Sequence, residues 1–253
     1  MRGLSGDLRG RALRALDKPA ERGPRVDPRR FKVPPEVEGA EDLLSEARSL
    51  LSSVGIEPEG AGRSGSYYQV DETVASYYSK EPGLRVLPLG EALDELGGLV
   101  WSAVQVDKDW YTAAAALYGR AGYAIIVEPG AKIREPVQAC LFQSAPGGIQ
   151  APHNVVVAGE GSEVHVITGC TAMPEVVGLH AGVTEIYVGR GARVTYTMIH
   201  AWNRDAHVRP RTGVVVREGG EFVSHYVNMT PVASLQSDPV VRLVGEGARA
   251  HLS

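Results

Sequence analysis

The sequence predicts a mainly β fold: a right-handed parallel β-helix (β-solenoid) with a small α/β region before it. Three observations predict it. Short glycine turns recur at nearly constant spacing, a continuous apolar run precedes most of these turns, and no helical pattern lies between them. A fixed period of this size is typical of repeat architectures, in which each unit stacks on the one before it.

The glycine turns set the period. Their glycines are separated by 31, 30, 28 and 28 residues: Gly130, Gly161, Gly191, Gly219 and Gly247. Two residues after each glycine stands a charged side chain: Lys132, Glu163, Arg193, Glu221 and Arg249. Three residues after each glycine stands an apolar one: Ile133, Val164, Val194, Phe222 and Ala250. Because side chains alternate faces along a strand, we expect the first row to face water and the second to face a core.

The apolar runs indicate parallel pairing. They occupy residues 125–127, 155–157, 186–188 and 214–216. Continuous runs suit strands that are covered on both faces, as in parallel sheets. Coils joined in one direction normally have right-handed connections.

The N-terminal part differs in composition from the repeats. Residues 1–32 carry ten Lys or Arg against four Asp or Glu, while the whole chain has a net charge of −4. We expect a flexible basic arm over residues 1–35, an α/β region over 36–121, and β-helix coils over 122–253. A basic tail can bind nucleic acid, but no aromatic side chains interleave its arginines before Phe31, so we predict no nucleic-acid partner.

Within residues 36–121 the apolar spacing predicts three helices, at 36–55, 89–96 and 109–118, and a short strand or edge at 67–71. After the fifth glycine turn the chain stops partway through a coil. We therefore expect an incomplete solenoid, whose exposed edge a partner or further chain covers.

Composition excludes several classes of protein. No apolar stretch approaches the roughly 18 residues of a membrane span and no signal peptide is visible, so we predict no membrane partner. The two cysteines, Cys140 and Cys170, favour a reducing, cytoplasmic location over a disulfide scaffold. The sequence contains no P-loop, GxGxxG, HExxH or CxxC motif, so no ATP site is predicted.

One interior column of side chains could carry chemistry. The ninth positions after the corner glycines are Ala139, Cys170, His200 and Asn228. Nine is odd, so these side chains should point inward, and neighbouring parallel strands lie about 4.8 Å apart. Cys170 and His200 would then be adjacent, as a thiolate with a base or as a pair of soft-metal ligands. The alternative is structural, since free cysteines are commonly buried.

Other polar residues have simpler interpretations. Cys140 is at the tenth position, on the opposite face, and is expected to be structural. His180 lies between two glycines and is expected to hydrogen-bond the backbone at a corner. Arg209 and Arg211 could hold an anion, although exposed arginines on a coil surface are commoner.

Several segments together resemble the SufB/SufD family. They are residues 122–130, 136–138, 169–172, 179–181 and 198–202, with 63–67, 69–71 and 107–109 in the N-terminal region. Residues 209–212 are similar to its archaeal-type branch. The order and spacing of these segments carry the resemblance, which runs from about residue 36 to the end.

The resemblance implies a right-handed parallel β-helix that acts as a scaffold in iron–sulfur cluster assembly. Its implied partners are a SufC-type ATPase, a desulfurase system that donates sulfur, and a SufB/SufD-type subunit. In SufB members the cysteine of a Gly-Cys-(Thr/Ser)-Ala motif is associated with accepting sulfur, and this motif matches at Cys170. SufD members generally lack it, so the match is SufB-like. His200 has no role implied by the family; we hypothesise that it lowers the pKa of the Cys170 thiol.

The chain also departs from the family pattern. The family continues through further coils, which carry a cluster-associated cysteine and acidic or histidine residues, and ends in a helical domain that binds the ATPase. We therefore expect a C-terminally truncated member that holds an iron–sulfur cluster only transiently, in a larger complex. Flavin binding is left open.

Two functions remain after these observations. The first is a scaffold subunit, not itself an enzyme, that accepts or relays sulfur. The second is a structural subunit that dimerises, with itself or a relative, through its exposed β-helix edge and performs no sulfur chemistry. A polysaccharide-active β-helix enzyme is disfavoured, because the solvent-facing rows have no aromatic ladder.

Overall fold

The structure is a computed structural model that describes residues 4–253; residues 1–3 of the predicted arm lie outside the described residues. Five α-helices lie in the N-terminal half: α1 (Gly6–Ala15), α2 (Ala40–Glu46), α3 (Arg48–Ser53), α4 (Leu89–Leu96) and α5 (Trp110–Tyr118). None of the helices in this part of the chain is long and apolar enough to cross a membrane.

Strands dominate the rest of the described chain. The first three belong to the N-terminal region: β1 (Gly65–Val70), β2 (Thr73–Ser79) and β3 (Leu84–Pro88). The others follow from residue 123 onward: β4 (Tyr123–Val127), β5 (Val137–Gln143), β6 (Ile149–Gln150), β7 (His153–Ala158), β8 (Glu163–Ala172), β9 (Leu179–His180), β10 (Val183–Val188), β11 (Arg193–Ala201), β12 (His207–Val208), β13 (Arg211–Val216), β14 (Glu221–Asn228), β15 (Ser234–Leu235), β16 (Asp238–Leu243) and β17 (Arg249–Leu252).

The strands form three sheets, each of which takes one strand from successive coils. The orders are β17-β14-β11-β8-β5-β1-β2, β16-β13-β10-β7-β4-β3 and β15-β12-β9-β6. All pairs are parallel except β1–β2 and β3–β4. The predicted parallel β-solenoid is confirmed, with about four turns.

The corners are made as the sequence predicts. All five corner glycines have positive φ, between 60° and 76°. Side chains other than glycine rarely adopt this conformation, because a Cβ would crowd the backbone. The spacing of these glycines therefore fixes where each coil turns.

The charged row and the apolar row lie on opposite faces. Arg193 pairs with Glu221 at 2.9 Å, and Lys132 approaches Glu163 at 3.9 Å, both at the surface. The apolar row is buried from Ile133 to Phe222, whereas Ala250 in β17 is exposed. The main core lies inside the coils, where alternate residues of strands such as β11 are buried.

The basic segment differs from the flexible arm expected there. α1 packs against α5, and its Ala12 and Ala15 are buried in a cluster with the alanines of α5. Leu8 packs against the same cluster. In the sequence, arginines stand between the apolar residues of α1. The apolar face of this helix is therefore not evident from the sequence pattern.

The remaining N-terminal elements lie against the first coils. The helix predicted at 36–55 is divided into α2 and α3, because Ala47 leaves the helical conformation. α3 ends at Ser53, two residues before Gly55, which has positive φ. The predicted helices at 89–96 and 109–118 are present as α4 and α5. β1 extends the sheet of β5 in parallel, while β2 and β3 were not predicted.

Two arginines expected at the surface are buried. Arg211 donates to Asp109 Oδ2 at 2.8 Å, and the two side chains are 1% and 5% exposed. Arg209 donates to the Tyr111 hydroxyl at 3.1 Å. These arginines therefore join the start of α5 to β12 and β13, which explains their position without a bound anion.

A carboxylate, Glu185 of β10, joins another N-terminal loop to the solenoid. Its oxygens accept from the backbone N–H groups of Trp101 (2.6 Å), Ala103 (2.7 Å) and Val104 (3.1 Å). His153 Nε2 also donates to it, at 2.8 Å. We call Glu185, His153 and these three loop residues the Glu185 cluster. Burial alone would raise the pKa of Glu185, but the bonds from His153 and the backbone hold it below its ordinary value.

Candidate functional site

Strand register brings Cys170 and His200 together. β8 and β11 are parallel, and Cys170 lies directly opposite His200, as predicted. Both side chains are completely buried inside the coils. Parallel neighbours lie about 4.8 Å apart, so this adjacency follows from the backbone alone.

Of the other two members of the predicted column, Ala139 is displaced and Asn228 is in place. Cys170 lies opposite Leu141, and not opposite Ala139, because the first coil has two extra residues before Val137. Asn228 lies opposite His200, as predicted, and its amide donates to the Thr230 carbonyl at 2.9 Å. Among the described residues its side chain is exposed, because β17 pairs with β14 only as far as Ser224.

Gly169, the residue before Cys170, lies very close to another segment of the chain, which leaves no room for a side chain. A Cβ at Gly169 would lie 2.6 Å from Ile56 Cγ1 and 2.8 Å from the Val54 carbonyl oxygen. Gly169 lies on the outer face of β8, and the segment that follows α3 packs directly against it. This contact covers the outer face of the strand that carries Cys170.

Cys140 fits its predicted structural role. It lies on the outward face of β5, in an apolar cluster with Leu51, Val54 and Ile56. Burial raises the pKa of its thiol. Cys170 instead lies inside the coils beside His200, so the two cysteines occupy different environments.

His180 is the site residue that sequence reasoning missed. It lies on β9, in the sheet of two-residue strands, and is 3% exposed. Ligand atoms of Cys170, His180 and His200 all lie within 4.8 Å of one another. We call these three residues the interior site. No periodic signal marks strands as short as β9, so the glycine spacing could not predict which face His180 occupies.

The hydrogen bonds of His180 fix its tautomer. Gln150 Nε2 donates to the carbonyl of Phe142 at 2.9 Å and of Asp71 at 3.2 Å, which turns its Oε1 toward the histidine. His180 Nδ1 lies 3.0 Å from that oxygen and must donate to it. The expected backbone bond is thus replaced by a side-chain bond, and Nε2 keeps its lone pair.

His200 has one nitrogen without a partner. Its Nδ1 lies 2.9 Å from the Tyr226 hydroxyl, while its Nε2 is buried and makes no hydrogen bond. Burial lowers the pKa of His180 to about 3 and that of His200 well below its ordinary value. Both imidazoles are therefore neutral near pH 7.

The thiol of Cys170 is also neutral in this environment. Burial raises its pKa well above the ordinary value, and the nearby Cys140 adds to the effect. The hypothesis that His200 lowers this pKa is wrong for the structure as it stands, because a neutral buried imidazole supplies no positive charge. A base can still remove the proton during a reaction, and His180 and His200 both have a nitrogen within 4.8 Å of the thiol.

Trp202 forms a wall of the site. Its ring centroid lies 4.9 Å from that of His180 and 5.8 Å from that of His200. Its Nε1–H is buried without a hydrogen-bond partner. The interior site therefore offers a thiol, lone pairs on imidazole nitrogens and one free N–H donor, a set that suits a soft metal ion or a sulfur species.

Known proteins that are similar to this chain belong to the family that the sequence pattern resembles. Residues 141–253 match the family model described as "SUF system FeS cluster assembly, SufBD core domain". An iron–sulfur cluster assembly SufBD family protein of Methanothermobacter thermautotrophicus is 36% identical over 256 residues, which cover 96% of this chain and 62% of the relative.

Two further archaeal relatives carry the same family description. The protein of Archaeoglobus fulgidus is 37% identical over 207 residues, and that of Pyrococcus horikoshii is 30% identical over 232 residues. These alignments cover 81% and 87% of this chain, and 56% and 52% of the relatives. The chain thus spans between half and two thirds of the length of these relatives. It belongs to the SufB/SufD (SufBD) family of iron–sulfur cluster assembly proteins.

Proposed function

We propose that this chain is a subunit of an iron–sulfur cluster assembly scaffold in which Cys170 accepts sulfur and relays it inside the solenoid. The observation that carries the proposal is the interior site, where a buried thiol lies beside two neutral imidazoles. Cysteine sulfur is the natural carrier and ligand in such chemistry. The Gly-Cys-Thr-Ala sequence at 169–172 supports a SufB-like role.

The transfer step conserves atoms and electrons. Cys170 Sγ attacks the terminal sulfur of a donor persulfide, so that one S–S bond forms at Cys170 while the donor's S–S bond breaks. The proton of the Cys170 thiol passes to His200 Nε2, in the tautomer whose Nδ1–H donates to the Tyr226 oxygen, and the donor leaves as a thiolate that is then protonated. His200 thus acts during attack, when the thiol must lose its proton, and not by a standing shift of the thiol pKa.

Partners follow from the proposed role. We propose a desulfurase-type sulfur donor, a SufC-type ATPase and a SufB/SufD-type subunit, acting in the reducing cytoplasm on a transient cluster as cargo. Both cysteines are free thiols, which agrees with a reducing compartment.

Persulfide mapping tests the proposal. The chain is incubated anaerobically with a cysteine desulfurase and cysteine, then labelled with a persulfide probe and digested. We expect a persulfide on Cys170 in the parent and in Cys140→Ala, and none in Cys170→Ala. Equal labelling of Cys170→Ala would overturn the role of Cys170.

The alternative is a structural subunit without sulfur chemistry. The complete burial and raised pKa of the Cys170 thiol favour this alternative, because they slow attack by a free thiol. It predicts a dimer or larger assembly by mass measurement, with no persulfide on either cysteine. Persulfide on Cys170 alone excludes it.

A further inference from the structure

A second property of the interior site does not depend on persulfide transfer. Among residues 4–253, one group of three buried side chains of metal-binding types brings its ligand atoms together: Cys170, His180 and His200. None of the three is an acid. Buried polar atoms normally have hydrogen-bond partners. Here His200 Nε2 and the neighbouring Trp202 Nε1 have none.

The arrangement of hydrogen bonds prepares both histidines as ligands. Gln150 holds the Nδ1–H of His180, which leaves Nε2 as the donor of a lone pair. His200 Nδ1 pairs with the Tyr226 hydroxyl; when Nδ1–H donates to that oxygen, Nε2 carries the lone pair, and metal binding selects this tautomer. In metal sites the second nitrogen of a ligating histidine is usually held by such an outer partner, which fixes the tautomer and the ring orientation.

We propose that Cys170, His180 and His200 bind one divalent transition-metal ion of the Fe²⁺, Co²⁺ and Zn²⁺ class, through Sγ and one imidazole nitrogen from each histidine. A thiolate with two imidazoles is a donor set of borderline softness, which selects this class over Mg²⁺ or Ca²⁺. Binding replaces the thiol proton by the metal ion, and one proton is released without any change in oxidation state.

The geometry requires only a small contraction. With metal–sulfur and metal–nitrogen bonds of about 2.3 and 2.0 Å, ligand atoms on a tetrahedral ion lie roughly 3.4 to 3.6 Å apart. The three atoms already lie within 4.8 Å, so changes of about 1 Å in side-chain position bring them into range. Three protein ligands leave a fourth position open for an exogenous ligand such as a sulfur donor.

Cobalt is the direct probe. Tag-free protein is titrated anaerobically with Co²⁺, and the absorption is followed for thiolate-to-cobalt charge transfer and for the visible bands of tetrahedral cobalt. We expect one equivalent to bind, Zn²⁺ to displace it, and both bands to disappear. Cys170→Ser should lose the charge-transfer band, and His180→Gln and His200→Gln should each weaken binding by about tenfold or more.

Matched controls separate the site from other ligands. Cys140→Ala removes the other thiol, and His165→Gln removes a half-buried histidine outside the site. Both should bind Co²⁺ like the parent. A charge-transfer band that survives in Cys170→Ser, or that vanishes in Cys140→Ala, would overturn the proposal, as would a parent protein without the band.

X-ray absorption on the parent protein decides the matter if a variant fails to fold. The Zn²⁺ complex should show one sulfur and two imidazole nitrogens in its inner shell. A shell of oxygen atoms without sulfur would overturn the assignment. Because this readout needs no sulfur donor, a failed persulfide experiment and a failed metal experiment are distinguishable.

Discussion

Two buried histidine environments in this molecule show how an acid changes what a histidine can do. In the Glu185 cluster, His153 donates to a carboxylate that also accepts three backbone N–H groups. In the interior site, His180 and His200 have only neutral partners, and a thiol replaces the acid. His153 Nδ1 and His200 Nε2 are both buried without a hydrogen-bond partner. Among residues 4–253, however, the ligand atoms of three buried side chains come together in the interior site, whereas the Glu185 cluster attaches a loop.

Removal of the carboxylate should have the largest effect on stability. We expect Glu185→Ala to lower the free energy of unfolding by about 3–5 kcal/mol, because His153 and the loop N–H groups lose a buried charged partner together. Urea unfolding at pH 7 measures this effect. A loss below about 1 kcal/mol would mean that the Glu185 cluster does not secure the loop and that the contrast with the interior site is false.

The contact between Gly169 and the segment that follows α3 should tolerate little extra volume. Gly169→Ala places a Cβ 2.6 Å from Ile56 Cγ1 and 2.8 Å from a backbone carbonyl, so we expect a loss of about 2 kcal/mol in unfolding free energy. Gly90→Ala is the matched control, because nothing lies within 4 Å of its added Cβ and alanine favours the α4 helix. Equal stabilities for the two variants would contradict the close packing on β8.

The pH dependence of the stability should reveal the contribution of the ionised Glu185 carboxylate. The pKa of Glu185 is lower in the folded state than its ordinary value of 4.5, so the unfolded chain binds more protons as the pH falls. The stability that Glu185 contributes is complete above pH 4.5 and is lost as the pH drops through the folded pKa. The parent should exceed Glu185→Gln by about 1–2 kcal/mol at pH 7, and this difference should shrink below pH 4.5. A difference that stays constant down to pH 3 would contradict the depressed pKa.

Of these substitutions, His200→Gln in the interior site should lower stability least. In metal-free protein we expect His200→Gln to cost less than about 1 kcal/mol, because the side chain makes one hydrogen bond and glutamine can still pair with Tyr226. Urea unfolding in the presence of a chelator measures it. A cost as large as that of Glu185→Ala would make His200 a structural residue.

The sequence predicted the features that depend on regular spacing. Glycine turns with positive φ set the coil length, and strand alternation then placed Cys170 beside His200. Both follow from backbone geometry, which repeats. A two-residue lengthening of the first coil was enough to move Ala139 out of the predicted column, although it kept Leu141 inward.

Features that depend on tertiary contacts were not predictable in this way. His180 comes from a two-residue strand without periodicity, and its importance arises only from what lies across the interior. The burial of α1 depends on the complementary face of α5. The raised pKa of the Cys170 thiol depends on the absence of charge around it, which no spacing along the chain reveals.

The row of surface charges alternates in sign from coil to coil: Lys132, Glu163, Arg193, Glu221 and Arg249. Loss of one internal coil during evolution would bring two like charges into contact, whereas loss of two adjacent coils would keep the alternation. Each exposed pair contributes only about 0–1 kcal/mol, so the bias is weak but acts at every junction. Repeat number in this solenoid should therefore change more readily by two units than by one.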